Sequence, residues 1–241
     1  MVRMITVGVD FASLPKRTAL CVIEWTGTEA IVRSYCLNVS DSDIESYVNV
    51  ADKIGMDVPF GWPQAFTNAV VSHLQRQLWP VASGHELRFR RTDLHVQQAT
   101  TRWPLSVSSD RIACTAFRAA AFLSRMEQIH GRIDRTGTGV FVEVYPRAAR
   151  DRWGCANFGA FSAATGGWLR FAGSTEETCS KSPDCFDAFV AALVARAAAM
   201  KLCDPVPEID LDAAGAEGWI ALPREGSLRR LLSPDQLPAV D

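Results

Sequence analysis

Apolar residues follow two rhythms along this chain, and the changes of rhythm mark out its elements. Met4 to Asp10 is a short apolar run that predicts a strand ending in an acid. Thr18 to Trp25 predicts a second strand, Thr26-Gly27-Thr28 a turn, and Glu29 to Leu37 a third strand. Connections this short imply an antiparallel meander. Ser40 predicts an N-cap, with Asp43 three residues on, for a helix running to about Val50. Lys53 to Asp57 predicts a further short strand, again closing on an acid, and Pro59 stops it. From Gln64 to Leu78 the period lengthens, with Phe66, Val70, Val71, Leu74 and Leu78 on a helical repeat.

Asp110 to Ile129 predicts a long helix that turns Ile112, Ala116, Ala119, Ala120, Leu123 and Met126 inward. Val140 to Pro146 predicts a strand with Glu143 inside it, and Arg147 to Trp153 a short helix. Cys155 to Ser180, rich in Gly, Ala and Ser, matches neither rhythm. Ser182 to about Met200 is apolar almost all round and predicts a buried helix. Ala213 to Pro223 reads as a small terminal strand. This order predicts an α/β fold with a mixed sheet, in a single domain over residues 1–241 with a helical and loop insertion at about 62–135.

The chain has 241 residues and is 48% hydrophobic, enough for one large core. A net charge of −2 excludes a broad basic surface but leaves room for a local basic patch. Seven cysteines, an odd number with no CxxC pair, argue against a disulfide framework and a structural zinc site. Reduced thiols, no signal-peptide pattern and no apolar run of ~18 residues predict a cytoplasmic protein without a membrane partner.

The candidate chemistry lies in the acids. Asp10 and Asp57 end strands, Glu143 sits within one, and Asp184 and Asp187 open the apolar helix. Residues three apart share a helix face, so Asp184 and Asp187 point the same way. An acid in an apolar element is expensive to bury alone. Taken singly, each strand acid is accounted for as a local cap or a salt bridge, and the helix pair as an N-cap and a solvated first-turn acid. Taken together, their repulsion calls for a cation. Oxygen-only ligands, with no His or Cys at ligand spacing, indicate Mg²⁺ or Mn²⁺. Two such ions about 4 Å apart support phosphodiester cleavage. His85 to Val96 is the one basic cluster, with Arg88, Arg90 and Arg91.

Several motifs carry a resemblance. Gly8-Val-Asp10, Met56-Asp57-Val-Pro-Phe-Gly61, Glu143-Val-Tyr-Pro146 and Asp184-Cys-Phe-Asp187-Ala-Phe-Val-Ala-Ala192 are similar to the successive motifs of domain-of-unknown-function family 429, the predicted RNase H-like nucleases. The resemblance spans about residues 5 to 222. It implies an RNase H-like fold with a mixed five-stranded sheet, three antiparallel strands continuing into two parallel ones. It implies that Asp10, Asp57, Asp184 and Asp187 line one metal site, with Glu143 beside it or as a further ligand. It also implies that Arg90, Arg91 and Asp93 approach the substrate. The function expected on this basis is a divalent-metal-dependent nuclease acting on DNA or RNA by a two-metal mechanism. A catalytically inactive nucleic-acid or metal-binding module on the same scaffold is the first alternative. A phosphotransferase of the sugar-kinase/actin type, with Asp10 to Thr18 as its first phosphate loop, is the second.

Overall fold

The computed structural model describes residues 3–232. Six strands form its sheet: β1 (Met4–Asp10), β2 (Ala19–Trp25), β3 (Ala30–Leu37), β4 (Lys53–Asp57), β5 (Phe141–Glu143) and β6 (Leu169–Phe171). Their spatial order is β5-β4-β1-β2-β3-β6. The predicted meander is present, since β1 pairs antiparallel with β2 and β2 with β3. β4 joins β1 in parallel, β5 joins β4 in parallel, and β6 joins β3 in parallel. The sheet is mixed as expected, but it has six strands rather than five. The sixth lies in the Gly/Ala/Ser-rich stretch. It is three residues long and buries only Leu169, too little to show a two-residue period.

The helices are α1 (Asp41–Ser46), α2 (Gln64–Leu74), α3 (Gly84–Arg88), α4 (Arg91–Thr100), α5 (Ala113–His130), α6 (Pro146–Trp153), α7 (Phe158–Ala164), α8 (Thr175–Lys181), α9 (Pro183–Ala199) and α10 (Leu211–Glu217). Strand parity sends alternate side chains to opposite faces of the sheet. Val7, Val9, Ile54 and Met56 join Ile44 of α1 and Phe122 and Met126 of α5 in one core. The other face is covered by α9, whose Ala188, Phe189, Ala192 and Leu193 are fully buried beside Cys21 and Ile23. That helix is apolar all round because the sheet, α6 and α8 enclose it.

Two further expectations are corrected. α2 ends at Leu74, short of Leu78, because Arg76 takes φ +56° and breaks the helix; Leu78 beyond it is 90% exposed. The stretch from Ala213 is not a strand at first but the body of α10, closed by Gly218 at φ +89°. Past it, Ile220 bridges Glu143 and Pro223 bridges Cys203, each an isolated pairing.

The loop after β1 is tied down by one side chain. Arg118 of α5 donates from Nη1 to Ala12 O and Thr18 Oγ1, both at 2.6 Å, and from Nη2 to Asp41 Oδ1 at 2.6 Å. Its guanidinium also lies 4.3 Å from the centre of the Phe11 ring. Arg118→Ala is expected to cost about 2 kcal/mol, since several charge-assisted bonds go at once. For a chain of this size that lowers Tm by roughly 4–8 °C in a thermal melt.

Candidate metal site

Backbone packing places the acids. Gly8 and Gly55 are register partners on β1 and β4, and so are Asp10 and Asp57 two residues further on. A Cβ on Gly8 would lie 2.0 Å from Ala188 O and 2.2 Å from Ala192 N; one on Gly55 would lie 2.5 Å from Ala191 O. The two glycines therefore let the α9 backbone rest directly on the sheet. Residues two apart share a strand face, so Asp10 and Asp57 point to the α9 side. Strands pair at roughly 4.8 Å, which makes the two aspartates immediate neighbours. One turn back from Ala188 and Ala191 are Asp184 and Asp187. Ser182 is the N-cap, its Oγ accepting from Cys185 N at 3.2 Å, so neither acid serves as the cap.

The electrostatics record this proximity. Asp10 is pushed up to about 7, first by burial and then by the charges of Asp187 and Asp184, with Arg17 opposing. Asp57 is held well above the ordinary carboxylate range by burial, then by Asp10, Asp187 and Glu143. Burial also raises Asp187, while Arg150 pulls it down. Arg150 Nη2 lies 3.4 Å from Asp187 Oδ1, and that buried oxygen has no hydrogen-bond partner. Among the described residues no group of three or more His, Cys, Asp or Glu side chains is gathered tightly enough to hold a metal ion. The site thus comprises the register pair Asp10–Asp57, with Asp187 ion-paired to Arg150.

Glu143 lies one strand further out and is committed elsewhere. Its Oε1 accepts from Arg90 Nη2 at 2.7 Å, and its Oε2 accepts from Arg90 Nη1 and Phe60 N, both at 2.9 Å. Arg90 Nη2 also donates to Asp93 Oδ1 at 3.0 Å, and Asp93 Oδ2 accepts from Arg90 N at 2.9 Å. All three side chains are buried. Burial works against the Arg90 charge, but Asp93 and Glu143 outweigh it and keep the guanidinium protonated. Arg91 lies on the surface with Nε 2.6 Å from Asp210 Oδ1. Arg90 thus ties the start of α4 to β5 through Glu143, Asp93 completes that buried pair, and Arg91 pairs with Asp210 at the surface.

The cations beside the acids are others. Arg147 and Arg150 stand three apart on α6, and both act on Asp187. Arg17 acts on Asp10 from the loop after β1. Burial and the Asp57 charge raise the Tyr145 phenol, with Arg102 and Arg147 opposing. The signal for these was readable: Arg147 and Arg150 share one helix face, and Pro146 starts that helix directly after the Glu143 strand. A larger hollow, about 1040 Å³, lies at the opposite end of β4, around Lys53, Cys203 and Trp219. It is remote from the paired acids. All seven cysteines are free thiols, and among the described residues no helix is long and apolar enough to cross a membrane.

No curated protein and no solved structure matches the chain. One family model does, over residues 8–210, a span that takes in the end of β1 with Asp10, the β4 acid, Glu143 and the α9 pair. On that match the chain belongs to the family described as protein of unknown function (DUF429).

Proposed function

We propose that this protein hydrolyses phosphodiester bonds of DNA or RNA, on a fold of the RNase H type, with the help of a divalent cation. The observation that carries the reading is the parallel register of Asp10 with Asp57 beneath the first turn of α9. The strand order β3-β2-β1-β4-β5, three antiparallel strands running into two parallel ones, supports the fold type. Ligands of α/β sheets bind outside the carboxyl ends of the strands, which is where these acids stand.

The donors suit Mg²⁺ or Mn²⁺. They are all carboxylate oxygens, and one of them, Asp187 Oδ1, is buried without a hydrogen bond. Mg²⁺ is commonly held by one or two carboxylates plus waters and phosphate oxygens, so the Asp10–Asp57 pair suffices to seat it. Asp10 and Asp57 would hold the ion, with Asp184 and Asp187 completing its surroundings. When bound, such an ion supplies Lewis-acid stabilisation of the phosphate and lowers the pKa of water. The chain's own contribution is positional. Arg147, Arg150 and Arg17 place positive charge around a substrate phosphate, in the manner of guanidinium–phosphate pairs. The glycine contacts under α9 fix the spacing of the acids without side-chain slack.

The test is cleavage of single-stranded and duplex DNA and RNA in Mg²⁺ and in Mn²⁺. Asp10→Asn and Asp187→Asn are each expected to lower the rate at least a hundredfold. Neither lowers Tm, because each removes one of several crowded carboxylates; Asp10→Asn is expected to gain about 1–3 kcal/mol. Full metal-dependent cleavage by either variant would falsify the assignment. One observation favours the non-catalytic module instead: Arg150 already pairs with Asp187, as an internal cation would. Tight nucleic-acid binding with no turnover in either metal selects that reading.

A further inference from the structure

A recess of about 190 Å³ opens beside Asp57, between the turn after β4 and the start of α6. Its walls are Pro59, Leu105, Ile112 and the ring of Tyr145, and its floor is the Arg90–Glu143 ion pair. A cavity of roughly 150 Å³ takes one benzene-sized ring, so this one admits a single flat ring system and not a base pair. Both carboxylate oxygens of Glu143 and the Nη1 and Nη2 atoms of Arg90 are already hydrogen-bonded within the protein. The floor therefore has no strong preference among base edges to impose. Recognition falls to shape and to the Tyr145 ring, and stacking on an aromatic face tolerates every base.

We propose that this recess receives one unpaired nucleobase next to the phosphate held at Asp10 and Asp57, so that the substrate is nucleic acid with an unstacked nucleotide at the site. This rests on the nuclease reading and narrows its substrate class. Asp57 lines the recess and also pairs with Asp10, so a nucleotide seated in one keeps its phosphate beside the other. Extruding a base costs least where it is mismatched or already unpaired, which makes the recess a selector for distorted or single strands over intact duplex.

The experiment compares binding of two probes to the full chain: a DNA duplex carrying one bulged 2-aminopurine, and the same duplex fully paired. The bulged probe is expected to bind at least tenfold tighter, with a fluorescence change as the base leaves its stack. Leu105→Trp fills the recess at a position already 47% exposed, so the fold is kept. It is expected to remove the discrimination while changing affinity for the paired duplex less than twofold. Tyr145→Leu, which removes the stacking ring, is expected to lose most of the preference, with a thermal melt confirming the fold. Equal affinity for both probes, or undiminished discrimination in both variants, overturns the proposal. Cleavage in Mg²⁺ is scored separately. Discrimination without cleavage leaves the recess standing and removes the nuclease; cleavage without discrimination does the reverse.

Discussion

Gly8→Ala is expected to abolish folding, or to cost about 4 kcal/mol or more where soluble protein survives. The new methyl would sit 2.0 Å from Ala188 O and 2.2 Å from Ala192 N. Both are backbone atoms of one helix, so no rotamer change relieves the clash, and α9 has to retreat as a body. Gly55→Ala meets Ala191 O at 2.5 Å and is expected to cost less, about 2–3 kcal/mol. Gly84→Ala meets nothing within 4 Å and is expected to lie within about 0.5 kcal/mol of the parent. Urea unfolding of the three variants reads the gradient directly. A soluble Gly8→Ala protein with unchanged midpoint would mean that α9 does not rest on the sheet as described. Any folded fraction of Gly8→Ala is also expected to lose activity, because the retreat carries Asp184 and Asp187 away from Asp10 and Asp57.

Arg90→Met is expected to cost about 3–5 kcal/mol. The substitution keeps much of the side-chain length but strands Glu143 and Asp93 as buried carboxylates without a counter-charge. Adding Glu143→Gln removes one of the orphaned charges and leaves an acceptor for Phe60 N. The double variant is therefore expected to be more stable than the sum of the two single losses, by more than 1 kcal/mol, in a double-mutant cycle. Simple additivity would show that the pair is not coupled. Per folded molecule, Arg90→Met is expected to bind nucleic acid like the parent at sites away from the recess, since the guanidinium is enclosed by protein.

The elements with a strong rhythm were legible along the chain. β1, β4 and α9 stand within a residue or two of their expected limits, and those three carry Asp10, Asp57, Asp184 and Asp187. The capping box of α1 was visible as Ser40 and Asp43, and both of its bonds form. What stayed hidden had little period to show. β6 is too short, and α10 is a run of Ala, Gly and acids that a single glycine ends. The partners of Arg90 and Arg91, at the start of α4, were hidden for a different reason. Arg90 and Arg91 look like a basic patch because composition does not reveal partners. Their partners Glu143, Glu217 and Asp210 lie 53 to 126 residues away in the chain. Arg147 and Arg150, which border the acids, share one face of the short helix expected after the Glu143 strand, but the chain alone does not say which acid they meet.

Glu217 gives the folding order a late step. Its two carboxylate oxygens accept from Gln64 N and Arg91 N, each at 2.8 Å, so one side chain finishes the first turns of both α2 and α4. The partners are 153 and 126 residues apart in the chain. On a ribosome the polypeptide from 64 to 100 is complete long before this latch emerges, and α2 and α4 then wait with bare amide ends. Truncated nascent chains that stop short of 217 should accordingly be open to proteases around residues 64 and 91 while the β1–β3 meander is already shut.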